Sequence, residues 1–418
     1  MDIVKLRKNF SNCQCGKEHN CNTKAIEIKK GAINKLKDLC KNFNSILVVF
    51  DENTYEICGS KIKSLLNGKD FSVLVLKAQE KVVIPNEEKL KEIEEKVLDK
   101  TDLIVGVGSG VINDLCKQVS FTKNLPYFIV ATAPSMDGYA SVGSALILKG
   151  MKVTLNARPP MAIIGDTEIL KNAPIEMIKA GYGDIIGKYS CLVDWKLSAF
   201  INNEYFCKKV YNLTYKCANS VKRLASKIKN RDEKAIGKLM EGLVLVGVLM
   251  SFVGSSRPAS GSEHHLSHYF EITGILDNTE YFAHGIDVVY SATFLARLKD
   301  KMLTSNPKKV EFNKEQYVKD IERIYTKSAS EVIKLQEKLG WYYKDNSPFI
   351  YLNWAKIKKI IKKSPSFSKF NKMVTAVGLD YREFEKLYSK EKLDGAILYA
   401  KDLKDRYTVL WLYYNYFR

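Results

Sequence analysis

The sequence predicts an N-terminal α/β domain over residues 1–174, followed by an all-helical domain over residues 175–418. Three observations carry this. Up to Pro174, short β-branched runs alternate with helix-like segments, the rhythm of a parallel sheet with crossover helices. Beyond it the strand signals fade, and apolar residues recur at about 3.6-residue spacing to the C-terminus. A chain of 418 residues also exceeds the usual size of one domain.

The elements follow in order. SILVVFDENT (45–54) is a buried strand that runs into an acid, and FSVLVLK (71–77) is a second strand. NEEKLKEIEEKVLDK (86–100) has the spacing of an amphipathic helix. TDLIVGVGSG (101–110) is a strand that ends in glycines, VINDLCKQVSF opens a helix, and PYFIVATAPS (126–135) is the next strand. SALILKG and MKVTLNA (144–157) predict a hairpin over Lys149-Gly150, and MAIIGDTEIL (161–170) a last strand. From IEMIKAGYGDIIGKYSCLVDWKLSAF onward the pattern is helical, with a lysine- and aromatic-rich excursion over about residues 300–350.

Hydrophobic residues at 46% and charged residues at 27% are those of an ordinary globular chain and exclude a disordered one. The start MDIVKLRKNF lacks a signal-peptide core, so the cytoplasm is the expected location. GKLMEGLVLVGVLMSFVG (237–254) comes nearest to a membrane span, but Glu241 and its glycines mark it as a buried helix. Nine scattered cysteines suit a reducing compartment. The net charge of +19 comes from dispersed lysines without a nucleic-acid-binding motif, so a solvated face is expected and neither nucleic acid nor membrane insertion.

GVGSG (106–110) ends a strand and opens a helix, which aims unbonded backbone N–H groups at an anion. The same pattern also serves tight packing, and Asn113 breaks the full dinucleotide fingerprint. Asp51, at the end of the first buried strand, is placed to accept from an adenosine ribose and to repel a 2′-phosphate; its plain alternative is a helix cap. ATAPSMDGYAS (131–141) puts hydroxyls and Asp137 at the C-terminal end of a strand, where open α/β sheets bind ligands, or else forms an ordinary turn.

Only five histidines are present, and three fall in GSEHHLSH (261–268). His264 and His268, four apart, share a helix face, while His265 points elsewhere. With His284 in YFAHGIDVVYS and Asp184 in AGYGDIIGKYS, one carboxylate and two imidazoles would make a three-ligand metal site with an open position. Spacing alone leaves open solvated or capping histidines beside a buried, hydrogen-bonded aspartate. CQCGKEHNC (13–21) offers a separate set, Cys13, Cys15, His19 and Cys21, as a second zinc site or as reduced cysteines near solvent.

Taken together, GVGSGVINDLCK, ATAPSMDGYAS, PPMAIIGDTEIL, AGYGDIIGK, RPASGSEHHLSHYFE and FAHGIDV resemble the sn-glycerol-1-phosphate dehydrogenase family. That family lies within the glycerol dehydrogenase, iron-containing alcohol dehydrogenase and dehydroquinate synthase-like superfamily. The likeness covers roughly residues 25–300, with PSMDGYAS and RPASGSEHHLSH its most specific stretches. It implies a dehydroquinate synthase-like fold, an N-terminal dinucleotide-binding domain and a C-terminal helical domain that holds metal and substrate.

By the same resemblance Asp184, His264 and His284 are metal ligands, and Asp137, Asp184 and His268 meet substrate and serve catalysis. Gly110, Val111, Ile112, Asn113, Asp114, Thr132, Ala133, Pro134, Ser135 and Ser141 match the cofactor positions, to which the local reading of the strand ends adds Asp51 and Gly108. The implied reaction interconverts dihydroxyacetone phosphate and sn-glycerol 1-phosphate with NAD(H), NADP being possible. One divalent metal is implied, zinc first, with nickel or iron as alternatives. The phosphorylated triose is then the small-molecule partner, and a homodimer the expected assembly. Arg158, Arg257 and Ser262 are the candidates for holding its phosphate. The rival readings are a glycerol or other polyol dehydrogenase, a dehydroquinate synthase-like lyase, and a basic adaptor without enzymatic activity.

Overall fold

The computed structural model describes residues 1–78, 82–148 and 151–418, with the side chains of residues 151 and 152 left aside. Two compact units emerge: Met1–Tyr182 with Ser226–Ser256, and Gly183–Ala225 with Arg257–Arg418. The division therefore differs from a single cut between residues 174 and 175.

The first unit is built on a parallel sheet of β1 (Ala25–Lys29), β2 (Ser45–Asp51), β3 (Asp70–Leu76), β4 (Leu103–Gly108), β5 (Tyr127–Ala131) and β8 (Ala162–Asp166). Its spatial order is β1-β8-β5-β4-β2-β3. Residues 46–50 of β2 and all six of β4 are buried, as continuous Val/Ile/Leu runs covered on both faces should be. β1 has no counterpart in the sequence reading: AIEIK is an edge strand with a single buried residue, too weak a pattern to declare itself.

This order creates a reversal. From β2 the chain moves outward to β3, then returns to the other side of β2 as β4 and continues to β5. At such a switch point the connections leave in opposite directions and open a crevice beyond the strand C-termini. Here those ends are Asp51 and Gly108. β6 (Gly143–Leu148) and β7 (Met151–Asn156) pair antiparallel, as the hairpin pattern predicts; its turn, Lys149-Gly150, lies outside the described residues.

Helix α1 (Glu52–Leu65) follows β2 and α2 (Gly110–Thr122) follows β4. The long α3 (Ile175–Asn202) begins in the first unit and ends in the second. α4 (Glu233–Val253), with 21 residues, is long and apolar enough to cross a membrane, yet 72% of its apolar window is buried inside the protein. It packs against β1 in the first unit, the buried helix expected from its sequence. The second unit is helical; α5 (Ser262–Asp277) and α6 (His284–Leu303) form its closest pair.

Candidate dinucleotide turn and metal centre

In the first unit, the glycine turn is shaped by packing. A Cβ on Gly108 would sit 2.5 Å from the Ile112 side chain, so only glycine lets α2 start this close to β4. Ser109 precedes the helix without a side-chain cap, and the first intrahelical bond runs from Asn113 N to Ser109 O. The first-turn N–H groups of Gly110, Val111 and Ile112 therefore point along the axis, with the positive end of the helix dipole behind them.

The polar side chains beside this turn face inward. Asn113 Nδ2 donates to Asp114 Oδ1 at 2.9 Å, and Tyr127 Oη to Asn113 Oδ1 at 3.4 Å. Lys117, buried, donates to Asp114 at 3.3 Å, to the carbonyls of Gly138 and Gly143 at 2.7 and 2.9 Å, and to Ser141 Oγ at 3.4 Å. Burial pushes the Asp114 carboxyl up against the opposing pull of Lys117, and lowers Lys117 against the pull of Asp114. The side chains of Asn113, Asp114 and Ser141 thus brace the loop at 138–145, leaving main chain to meet a ligand. Sequence reading missed Lys117, because a lysine in a helix normally reads as solvated; its only signal was the acid three residues before it.

Asp51 is the N-cap of α1 in a reciprocal capping box, its Oδ1 accepting from Thr54 N at 2.8 Å. That satisfies the plain reading and leaves a carboxylate at the switch-point crevice. Thr132 and Ala133 continue β5, with Thr132 N bonded to Gly108 O at 3.1 Å and Ala133 O accepting from Tyr139 Oη at 2.7 Å. Pro134 presents its carbonyl to Gly181, where any side chain would collide with it. Ser135 is half-buried, and Asp137 is buried just before the short turn Gly138–Ala140.

In the second unit, Asp184, His264 and His284 offer donor atoms that all lie within 4.8 Å of one another. They come from α3, α5 and the first residue of α6. Close approach makes this possible. A Cβ on Gly183 would strike the carbonyl of Gly285, and one on Gly261 would sit 2.5 Å from Asp194 Oδ2. Asp194 fixes the start of α5, accepting from Ser262 N at 2.7 Å and Ser262 Oγ at 2.6 Å, while its other oxygen takes Val409 N at 2.7 Å.

Lys188 and the imidazoles of His264 and His284 surround Asp184, which is fully buried. Burial pushes its carboxyl up, but Lys188, His264 and His284 together hold it well below the usual carboxylate range. Lys188, one turn on and also buried, donates to Asp184 Oδ1 at 2.5 Å and to Ala259 O at 2.9 Å. His264 Nδ1 lies 2.7 Å from Glu263 Oε1, and Nε2 lies 3.6 Å from Asp184 Oδ1. Burial lowers His264, while hydrogen bonds to Asp184 and Glu263 raise it, and the rise wins. An ionised Glu263 can only accept, so Nδ1 carries a hydrogen, and the ring is fixed with Nε2 on the side of Asp184. One carboxylate and two imidazoles, Asp184 and His264 buried and His284 half-buried, close together and oriented by an acid behind one ring, fit a divalent metal of the zinc, nickel or iron kind.

His268 flanks this set, its ring centroid 5.6 Å from that of His284 and 6.2 Å from that of His264. His265 is fully buried with neither ring nitrogen hydrogen-bonded among the described residues, and burial together with Arg406, Lys404 and Arg257 keeps it well below its ordinary value. Glu263 and Lys188 are further participants that sequence reading missed. The three phosphate candidates are engaged elsewhere: Arg257 with Glu204 and the Tyr407 carbonyl, Ser262 with Asp194, and Arg158 with Asn124. A cleft of about 670 Å³, lined among others by Tyr189, Lys222, Lys362 and Lys369, holds none of the candidate site residues.

Residues 27–174 match the family model described as iron-containing alcohol dehydrogenase. A glycerol-1-phosphate dehydrogenase [NAD(P)+] of Halalkalibacterium halodurans is 33% identical over 302 residues, covering 71% of this chain and 76% of the relative. The chain belongs to the glycerol-1-phosphate dehydrogenase family. An archaeal member, from Methanosarcina barkeri, is 36% identical over 250 residues, 58% of this chain and 68% of its own length. In fold the chain resembles a probable glycerol dehydrogenase of Sinorhizobium meliloti, with a TM-score of 0.59 at 15% identity over 91% of this chain and 89% of that one. The dehydroquinate synthase-like fold expected from the sequence is the fold found.

Proposed function

We propose that the protein reversibly transfers hydride between NAD(H) and a phosphorylated triose, interconverting dihydroxyacetone phosphate and sn-glycerol 1-phosphate. The convergence of Asp184, His264 and His284 within 4.8 Å carries this reading, joined to kinship with enzymes named for that product. In this reading residues 1–174 hold the dinucleotide and residues 175–418 the metal and substrate.

The N–H groups of Gly110, Val111 and Ile112 would hold the pyrophosphate of NAD(H), since backbone donors and the helix dipole favour an anion there. Gly108 keeps this approach clear, and Thr132 to Ser135 line the same end of the sheet. Asp51 accepts from the adenosine ribose and repels a 2′-phosphate, which favours NADH over NADPH. A divalent metal, zinc as first choice, would be held by Asp184, His264 and His284 and would polarise the C2 oxygen as a Lewis acid. Glu263 fixes the tautomer of His264, and Lys188 keeps Asp184 ionised. Asp137 orients substrate hydroxyls, and His268 passes the proton that accompanies hydride arrival at C2. A cytoplasmic homodimer is the expected form, which sedimentation of the purified chain checks directly.

The test is NADH oxidation with dihydroxyacetone phosphate, with glycerol plus NAD as the control. Turnover of the phosphorylated triose alone is expected. Turnover of glycerol alone would replace the substrate with an unphosphorylated polyol, and equal rates with NADH and NADPH would remove the role given to Asp51.

A further inference from the structure

The first unit contains a second cluster of metal-binding side chains, far in sequence from the three donors above. Helix Ile3–Phe10 is followed by Cys13-Gln14-Cys15-Gly16, and Gly16 adopts φ +81°, a left-handed turn that glycine takes without penalty. The chain then doubles back to His19. Cys13, Cys15 and His19 offer donor atoms within 4.8 Å of one another. Cys21, which the sequence presented as a fourth donor, is not part of the converged group.

His19 is held for coordination. Its ring is buried against Phe10 and Phe252, at centroid distances of 4.9 and 5.6 Å. Nδ1 lies 3.1 Å from the carbonyl oxygen of Phe252, in the last turn of α4. A carbonyl only accepts, so Nδ1 carries the hydrogen and Nε2 is the lone-pair nitrogen. That nitrogen faces Cys15 Sγ at 3.1 Å. Histidines that bind metals are oriented in this way, one ring nitrogen donating to a carbonyl while the other coordinates.

Capping α4 accounts for only part of this arrangement. Phe252 O and Val253 O are end carbonyls of that helix, and His19 Nδ1 and Lys17 Nζ, the latter at 3.2 Å, satisfy them. A cap uses Nδ1 alone and gives no reason to gather two thiols beside the same ring. We propose that Cys13, Cys15 and His19 form a second metal site that takes a thiophilic divalent cation, zinc above all, and ties the N-terminal segment to the end of α4. Zinc–sulfur and zinc–nitrogen bonds of about 2.3 and 2.0 Å separate S and N by roughly 3.5 Å in a tetrahedron. Cys15 need therefore draw back by only about half an ångström, well within rotamer adjustment. The two thiols bind as thiolates and release their protons to solvent.

The whole chain, purified without chelator and loaded with zinc, should hold about two metal ions per chain by plasma mass spectrometry. Cys15→Ser and Cys13→Ser should each lower the count by one, with the rate on dihydroxyacetone phosphate kept within about twofold of the parent. His284→Ala should remove the other ion and leave this one, so failure of the catalytic assignment is read separately. A variant that does not fold is bypassed with the parent protein. Cobalt in place of zinc should give a thiolate-to-cobalt charge-transfer band, and bound zinc should shield Cys13 and Cys15 from iodoacetamide until a chelator is added. An unchanged metal count in the cysteine variants, or parent protein with neither the cobalt band nor zinc-dependent shielding, overturns the proposal.

Discussion

At the glycine turn the main chain is presented to a ligand, and Asn113, Asp114 and Ser141 are folded away onto Lys117. At the histidine cluster the reverse holds: the side chains of Asp184, His264 and His284 converge, and the main chain is drawn close by Gly183 and Gly261. In the proposed function the first region would recognise charge with dipoles that every residue owns, so its demand on sequence is for smallness and rigid support. The second depends on particular donor atoms and on charges that stay buried only because each has a partner. Substitutions should therefore act through stability and cofactor affinity in one region, and through metal and chemistry in the other.

Removing the metal should show the contrast at full size. Dialysis against a strong chelator should lower turnover on the order of 10³-fold, about 4 kcal/mol, while the Kd for NADH by fluorescence titration stays within about threefold. A parallel loss of NADH binding would dissolve the distinction between the regions. Next comes Lys117→Met, which strips the donor shared by Asp114, Ser141 and two carbonyls. Breaking such a buried pair should cost about 3 kcal/mol in chemical denaturation and weaken NADH binding, with metal content unchanged. A stability loss below about 1 kcal/mol would mean the network does not brace the turn.

Gly183→Ala probes the same backbone dependence in the second region. Its methyl meets the Gly285 carbonyl, and overpacking of this kind should cost about 2 kcal/mol and loosen metal retention in equilibrium dialysis. The smallest effect belongs to Asp51→Asn. Asparagine keeps the cap on α1, so stability should move by less than about 0.5 kcal/mol while the NADH-to-NADPH rate ratio falls several-fold. An unchanged ratio would leave Asp51 as a cap alone.

The strands and the glycine turn were legible because their signals are local. Continuous apolar runs such as SILVVF and LIVGVG can only be buried strands when flanked by helix patterns, and the structure has them so. Strand β1 was not legible, since AIEIK at a sheet edge buries too little to stand out. Periodicity identified α4 as a buried helix but could not say which unit buries it, because partner choice is a tertiary property. The three metal-ligand candidates were legible through family likeness, not through spacing: Asp184, His264 and His284 sit far apart in the chain. Lys117, Lys188 and Glu263 stayed hidden because charged residues are read as solvated until a fold supplies their partners.

The central claim is that His264 holds the metal on which the chemistry depends, whereas its neighbour His265 does not. The direct measurement is metal content and the rate on dihydroxyacetone phosphate, taken together in His264→Ala and His265→Ala. The account predicts that His264→Ala loses the metal of this site and nearly all turnover, and that His265→Ala keeps most of both. Equal losses in the two variants, or turnover in His264→Ala that survives without the metal, would contradict it.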